Sequence, residues 1–300
     1  MSNAYVFPGQ GSQFVGMGSE LARLRPVAQG IFNRADATLG IDFTRLCFEG
    51  PEAELNDTYN TQSAIYTHSI AALETIALSG EIDAPAFVAG HSLGEFSALC
   101  AAGALSFEDG LKLVRERGRL MKLAGERAPG SMAAILGMQA DVLREICATV
   151  SMQLAQPVVL ANDNCPGQIV ISGGRESVAA AGAAAKQQGA KRVALLAVSI
   201  AAHSPLMASV SDEFAQAVAS TPFNAARVPV VANTSARAIT HPDDIRAELC
   251  AQLTSPVRWT DSVRVMSAQG VTSYVEVGPK DVLCNLIKRI DSSAQTRAIG

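Results

Sequence analysis

The stretch FVAGHSLGEFSALCAAG, residues 87–103, constrains the fold of this chain more than any other. A β-rich run breaks at Gly90-His91-Ser92-Leu93-Gly94 and becomes a helix-forming run without a gap. The simplest account is a strand-to-helix turn whose glycines relieve crowding. The same spacing, G-x-S-x-G, is that of a nucleophile elbow, in which a strained turn holds a serine hydroxyl clear of the backbone. Ser92 is thus a candidate nucleophile, and the rest of the chain must supply what a nucleophile needs.

Most of the sequence alternates short β-branched runs with amphipathic helical stretches, the pattern of an α/β fold with a parallel sheet. Expected strands are AYVF, AFVAG, VPVVAN and SYVEVG. Residues 129–198 read differently: strand SMAAILG, helix ADVLREICATV, strand VVLAN, a PGQ hairpin, strand IVISG, an Ala-rich helix and strand RVALLAV. That β-α-β-β-α-β order is the ferredoxin-like plan. The expected organisation is a large α/β domain over residues 1–128 and 199–300, with a small ferredoxin-like domain over 129–198 inserted in it. A cleft between two such domains is a common place for a ligand.

Composition narrows the function classes. With 300 residues, 48% hydrophobic and 17% charged, the chain can bury a large core and is not of disordered type. The net charge is −4, and no basic cluster is long enough to follow a phosphate backbone, so nucleic acid is not an expected partner. Six scattered cysteines without a C-x-x-C pair, and four dispersed histidines, suit reduced core thiols rather than disulfides or a zinc site. The longest apolar run, VALLAV, is too short to cross a bilayer, and Met1 leads into a strand-like AYVF rather than a signal peptide. A cytoplasmic protein without a membrane partner is expected.

Around Ser92, several residues could complete an acyl-transfer site. Leu93 opens a helix, so its N–H is an unpaired donor beside the nucleophile, suited to holding an oxyanion. A second donor must come from another loop, and FPGQGSQ (residues 7–13) offers the glycine-flanked Gln10. A phosphate-loop reading of that segment fails, because Phe14 stands where G-x-G-x-x-G needs its third glycine and no G-K-[ST] follows. His203 precedes Ser204 and Pro205, a cap and first turn, and is the best-placed base; His91, beside the nucleophile, reads as structural. Asp109 and Asp163 lie between Ser92 and His203 in chain order, but neither sits in an acid motif. A carbonyl at the negative end of the helix DDIRAELCAQL, near Gln252, could orient the histidine instead.

Arg117 has Leu113, Val114, Leu120 and Met121 as its helical neighbours, all apolar, so it belongs to the inward stripe. Arg115 and Arg119 sit with Lys112, Glu116 and Lys122 on what reads as a solvated face. A buried guanidinium needs a partner, either an internal carboxylate or the carboxylate of a substrate.

Together these motifs resemble the malonyl-coenzyme A:acyl-carrier-protein transacylases and the related acyltransferase domains of polyketide synthases. FPGQGSQ, TQSA at 61–64, GHSLGE at 90–95, RERGRLM at 115–121, NDNCPGQIVISG at 162–173, VSIAAHSPLM, SPVRWTDSV and EVGPKDVL carry the resemblance along essentially the whole chain. It implies a hydrolase-like α/β domain with a ferredoxin-like insertion and a ping-pong acyl transfer from malonyl-coenzyme A to acyl carrier protein, with no metal or redox cofactor. It further implies Ser92 as nucleophile, His203 as base and Gln252 as the residue whose carbonyl orients it. Gln10 and Leu93 then form the oxyanion hole, and Arg117 holds the malonyl carboxylate.

Two departures stand out. Ser63 replaces the proline of the family's usual TQPA. Ile200-Ala201-Ala202 before His203 matches neither the His-Ala-Phe of malonyl-selective polyketide domains nor the Tyr-Ala-Ser of methylmalonyl-selective ones, whereas Leu93 favours the malonyl side. The rival activities are a serine esterase or thioesterase, which would have no use for Arg117, and an idle docking module, which would not need Ser92, His203 and Arg117 together.

Overall fold

The computed structural model describes residues 2–80, 82–198 and 200–300; the expected domain join at Ser199 lies outside them. In chain order the strands are β1 (Ser2–Phe7), β2 (Phe87–Gly90), β3 (Gly130–Leu136), β4 (Val158–Cys165), β5 (Gln168–Gly174), β6 (Arg192–Leu195), β7 (Val230–Val231), β8 (Ala238–Ile239), β9 (Val271–Val277) and β10 (Gln295–Ile299). They form a larger sheet of order β10-β9-β1-β2-β7-β8 and a smaller one of order β4-β5-β3-β6. The larger sheet is parallel from β10 to β7, and only β8 runs antiparallel, against β7. The mixed α/β architecture with a parallel sheet follows from the sequence pattern, although β8 and the charged, half-exposed β10 were not among the expected strands.

Strand periodicity explains how the parallel sheet is covered. Successive side chains point to opposite faces, and both faces are packed, so residues 4–7 of β1 read as a continuous apolar run. Ala4 and Val6 join Ala89, Val231, Trp259 and Tyr274 in a core on one face. Tyr5 and Phe7 join Val88, Val230 and Phe96 in the larger core on the other face. The helix Thr58–Ser79, capped by Asp57, and the helix Phe107–Arg127, capped by Ser106, pack into that second core.

The smaller sheet is antiparallel throughout. One face, with Ala133, Ile135, Ile169 and Ile171, packs against Leu143, Ile146 and Val150 of the helix Ala140–Leu154 and against Val178, Ala181 and Ala185 of the helix Arg175–Gln187. The alternate residues Met132 and Val170 join the main core, so the sheet is stapled to the larger body by period-2 alternation. Backbone bonds from Asp163 N–H to Val257 O (2.9 Å) and from Val257 N–H to Ala161 O (2.8 Å) tie the edge of β4 to the segment after Gln252. RVALLAV forms a ladder only over its first residues, Arg192–Leu195.

The six cysteines are free thiols, with Cys47, Cys147, Cys165 and Cys284 buried. Burial pushes the Cys47 thiol up to about 12, so it packs as an apolar group rather than as a nucleophile. No helix among the described residues is long and apolar enough to cross a membrane.

Candidate active site

The elbow is built by close backbone approach. A Cβ on Gly90 would lie 1.9 Å from the Gly94 carbonyl, and one on Gly94 would lie 2.0 Å from the Phe7 carbonyl oxygen. Only glycine fits at either place. Between them Ser92 adopts φ 53°, a left-handed conformation that is strained for a residue with a side chain. The turn is held from outside. Ser92 N–H donates to Asn233 Oδ1 at 2.7 Å, Asn233 Nδ2 donates to the Gly90 carbonyl at 2.7 Å, and His91 N–H donates to the Phe7 carbonyl at 3.0 Å.

The chain beyond β1 packs on the same turn. A Cβ on Gly9 would meet the His91 carbonyl oxygen at 2.5 Å, so Gln10 follows a residue in direct contact with the elbow. The Gln10 side chain reaches away from it, donating from Nε2 to Thr58 Oγ1 at 3.2 Å. Among the described residues, the backbone N–H groups of Gln10 and Leu93 have no internal acceptor. Leu93 itself is the cap of the helix Gly94–Ala101, where backbone N–H groups project beyond the first turn.

His203 comes from the loop before the short 3₁₀ helix Pro205–Val210, whose cap is Ser204. Its φ of 57° is also left-handed. His203 Nε2 lies 2.7 Å from Ser92 Oγ, while Nδ1 lies 2.9 Å from the Gln252 carbonyl and 3.1 Å from the Ser255 carbonyl. Carbonyl oxygens only accept, so Nδ1 carries the proton and Nε2 is left to accept from the serine hydroxyl. Burial, and then the nearby Arg117 charge, lower the His203 imidazole to about 3, with the Gln252 and Ser255 carbonyls pulling the other way. It is therefore neutral.

The acidic alternatives stand elsewhere. Asp109 pairs with Ser106 (2.6 Å) at the start of the helix Phe107–Arg127, and Asp163 accepts from Thr260 Oγ1 at 2.7 Å. Carbonyls at the end of the helix Pro242–Gln252 and just after it face Nδ1 instead. His91 is engaged away from Ser92 Oγ, with Nε2 2.7 Å from Asn164 Oδ1 and its ring 5.8 Å from that of Trp259.

Arg117 is 1% exposed, as its apolar neighbours require, and Leu113, Val114, Leu120 and Met121 are all buried. Its partners are not carboxylates. Nη1 donates to Gln62 Oε1 at 2.8 Å, and Nη2 donates to Gln252 Oε1 at 2.9 Å and to Ser92 Oγ at 3.1 Å. Nε is buried with no acceptor among the described residues. Burial pulls the guanidinium down to about 10, with Glu95 opposing, so it remains a cation at neutral pH. A charged fork thus points at Ser92 Oγ with neutral partners only, and an anionic acyl group on that oxygen would give it a counter-charge.

Arg115 corrects the sequence reading. Arg119 does sit on a solvated face, paired with Glu116 at 2.7 Å, but the Arg115 guanidinium lies 3.9 Å over the Tyr59 ring with Nη1 buried. Ser63 is buried within the helix Thr58–Ser79, and Ala201 packs so tightly that a Cβ on Gly130 would lie 2.5 Å from its own. Sequence reasoning missed Gln62, Glu95 and Asn233 as parts of this site. The first two lie inside motifs it quoted, and Asn233 stands just past β7, at the carboxyl edge of the sheet where α/β sites gather.

A family profile for the acyl transferase domain matches residues 4–298. The malonyl CoA-acyl carrier protein transacylase of Bacillus subtilis is 46% identical over 296 residues, covering 99% of this chain and 92% of that protein. The enzyme of the same description from Escherichia coli K12 is 44% identical over 297 residues, covering 99% and 95%. Among solved structures, the malonyl CoA-acyl carrier protein transacylase of Coxiella burnetii superposes with a TM-score of 0.96 at 38% identity, covering 100% of this chain and 94% of that one. A malonyl-transacylase solved in complex with a type II polyketide synthase acyl-carrier protein gives 0.96 at 40% identity, covering 99% and 96%. With the elbow, the neutral histidine and the buried arginine set in one place, this chain belongs to the acyl transferase family and, within it, to the malonyl CoA-acyl carrier protein transacylases.

Proposed function

We propose that this chain moves a malonyl group from malonyl-coenzyme A, by way of an ester on Ser92, to the phosphopantetheine thiol of acyl carrier protein, supplying fatty-acid or polyketide synthesis. The observation that carries the reading is Arg117 Nη2 at 3.1 Å from Ser92 Oγ, a buried cation within reach of any acyl group on that oxygen. The names of the relatives agree with it.

In the first half-reaction the Ser92 hydroxyl proton passes to His203 Nε2 as Oγ attacks the thioester carbonyl. The resulting oxyanion is held by the N–H groups of Gln10 and Leu93. The carbon–sulfur bond then breaks, and the coenzyme A thiolate takes the proton back from Nε2. A thiol, with a reference pKa near roughly 8.5, departs far more readily than an amine, so a serine–histidine pair oriented by carbonyls suffices. In the second half-reaction the carrier thiol gives its proton to His203 and attacks the ester, and Ser92 regains its proton as malonyl leaves on the carrier. Gln252 contributes the carbonyl that keeps Nδ1 protonated, and Arg117 holds the malonyl carboxylate throughout. No metal or redox cofactor enters these steps.

We further read residues 1–128 and 199–300 as a hydrolase-like domain and 129–198 as a ferredoxin-like one. The smaller sheet's order, with its two helices on one face, supports the second assignment. Free, buried cysteines suit a cytoplasmic setting.

Intact-protein mass spectrometry tests the reaction. Malonyl-coenzyme A should add one malonyl group, and Ser92→Ala should remove it entirely. Arg117→Ala should slow malonyl loading by about 10- to 100-fold, the scale of a lost charged hydrogen bond, while acetyl loading holds or rises. An adduct that survives in Ser92→Ala would overturn the serine mechanism. Rapid hydrolysis of malonyl-coenzyme A without any carrier would favour the esterase reading instead.

A further inference from the structure

Glu95 is a fully buried carboxyl group that the proposed steps do not use, yet its oxygens hold both sides of the site. Oε1 accepts from the Asn233 backbone N–H at 3.0 Å, and Oε2 accepts from Gln252 Nε2. Asn233 is the residue whose side chain accepts the Ser92 N–H at 2.7 Å and braces the Gly90 carbonyl at 2.7 Å. Gln252 Nε2 donates as well to the Ser92 carbonyl at 3.0 Å, which leaves its Oε1 facing Arg117 Nη2 at 2.9 Å.

A carboxamide has one donor end and one acceptor end, so the group at one end decides what the other end presents. With Glu95 Oε2 and the Ser92 carbonyl both accepting at Nε2, the amide oxygen is turned to the guanidinium. Flipped, Gln252 would set its amino group against Nη2 and its oxygen against two acceptors, leaving buried donors and acceptors unpaired on both sides.

We propose that Glu95 is a positioning residue that sets the preference for a carboxylated acyl group, by fixing the Gln252 carboxamide that anchors Arg117 beside Ser92. This rests on Arg117 being the group that binds the malonyl carboxylate. Glu95 acts through Gln252 and touches no reacting atom. It also joins chain segments far apart in sequence, because one carboxyl group on the helix Gly94–Ala101 holds Asn233, 138 residues on, and Gln252, 157 residues on.

The test is Glu95→Gln, which keeps the shape and removes one acceptor. A single oxygen can still serve Asn233, but an amino group then faces Gln252 and drives the flip. Loading rates from malonyl- and acetyl-coenzyme A are measured across substrate concentration, with thermal unfolding alongside. The malonyl-to-acetyl ratio should fall by at least about 10-fold, chiefly through a raised KM for malonyl-coenzyme A. Equal losses on both substrates with a lowered Tm, or an unchanged ratio, would overturn the proposal. Should Glu95→Gln fail to fold, Gln252→Met decides: it deletes the carboxamide but keeps the backbone carbonyl, and must lower the ratio likewise. Arg117→Ala is run in parallel. A ratio untouched by Arg117→Ala removes the carboxylate-binding reading and this inference with it. A ratio lowered by Arg117→Ala but kept in Glu95→Gln counts against Glu95 alone.

Discussion

Ser92 and His203, whose side chains meet, are both held in left-handed backbone conformations, at φ 53° and 57°. Each such residue costs on the order of 1–3 kcal/mol and persists only where its surroundings over-determine it. Here they do: Asn233 grips the Ser92 N–H, and two carbonyls grip the far side of the imidazole. The same enclosure sets the protonation state. A histidine in water titrates near about 6.5, and a base whose pKa is lowered stays unprotonated, hence active, to lower pH. With the imidazole lowered to about 3 by burial and by Arg117, kcat/KM for malonyl-coenzyme A should be level between about pH 8 and pH 5. A stopped-flow pH profile of coenzyme A release checks this. A fall centred at pH 6 to 7 would mean that the imidazole is open to solvent before substrate binds.

The strand–turn–helix unit from β2 through Ala101 does two jobs, presenting Ser92 at its turn and Leu93 N–H at its helix end. Its tightness comes from backbone meeting backbone, which cannot yield as the end of a flexible side chain can. In Gly94→Ala the new methyl would lie 2.0 Å from the Phe7 carbonyl oxygen. That variant should lose at least about 2–3 kcal/mol and most of its acyl loading, because β1 and the helix must separate. Gly30, in the helix Pro26–Leu39, has nothing within 4 Å of the same position. Gly30→Ala should therefore stabilise by about 0.5–1 kcal/mol through helix propensity and leave loading unchanged. Chemical denaturation of the two variants side by side measures both, and a Gly94→Ala protein as stable as its parent would refute the crowding argument.

Across the whole molecule, buried titratable groups make stability depend on pH in opposing ways. His68, on the helix Thr58–Ser79, is 2% exposed, has no partner for either ring nitrogen among the described residues, and is lowered by burial to about 4. The unfolded chain takes up that proton near about pH 6.5 and the folded chain does not, so stability is lost as the pH drops from there toward 4. Glu95, Glu248 and Glu276 are raised by burial and act in the other direction, losing stability as the pH climbs through the acid range. His68→Leu isolates the histidine. Relative to its parent it should be more stable at pH 5 than at pH 7.5 by roughly 1–2 kcal/mol, read from denaturant midpoints at the two pH values. An equal difference at both would place His68 in contact with water.

Local pattern alone determined a good part of this molecule. The elbow could be read because a strand and a helix with only three residues between them leave few conformations for the serine in the turn. His203 could be read from the cap that follows it, and Arg117 from four apolar helical neighbours. The mixed α/β architecture was written in the alternation of periods. What periodicity encodes is which side of an element is buried, never what it is buried against. Hence Arg117 was known to need a partner, while Gln62 and Gln252, 55 and 135 residues away, could be found only by folding the chain. Arg115 carried the pattern of a solvated residue, and the approach of Tyr59 from the helix Thr58–Ser79 covered it. Asn233 and Glu95 became parts of the site because parallel strands far apart in sequence end at the same edge of the sheet. Hydrogen bonds across such distances are chosen by packing, which only the tertiary structure decides.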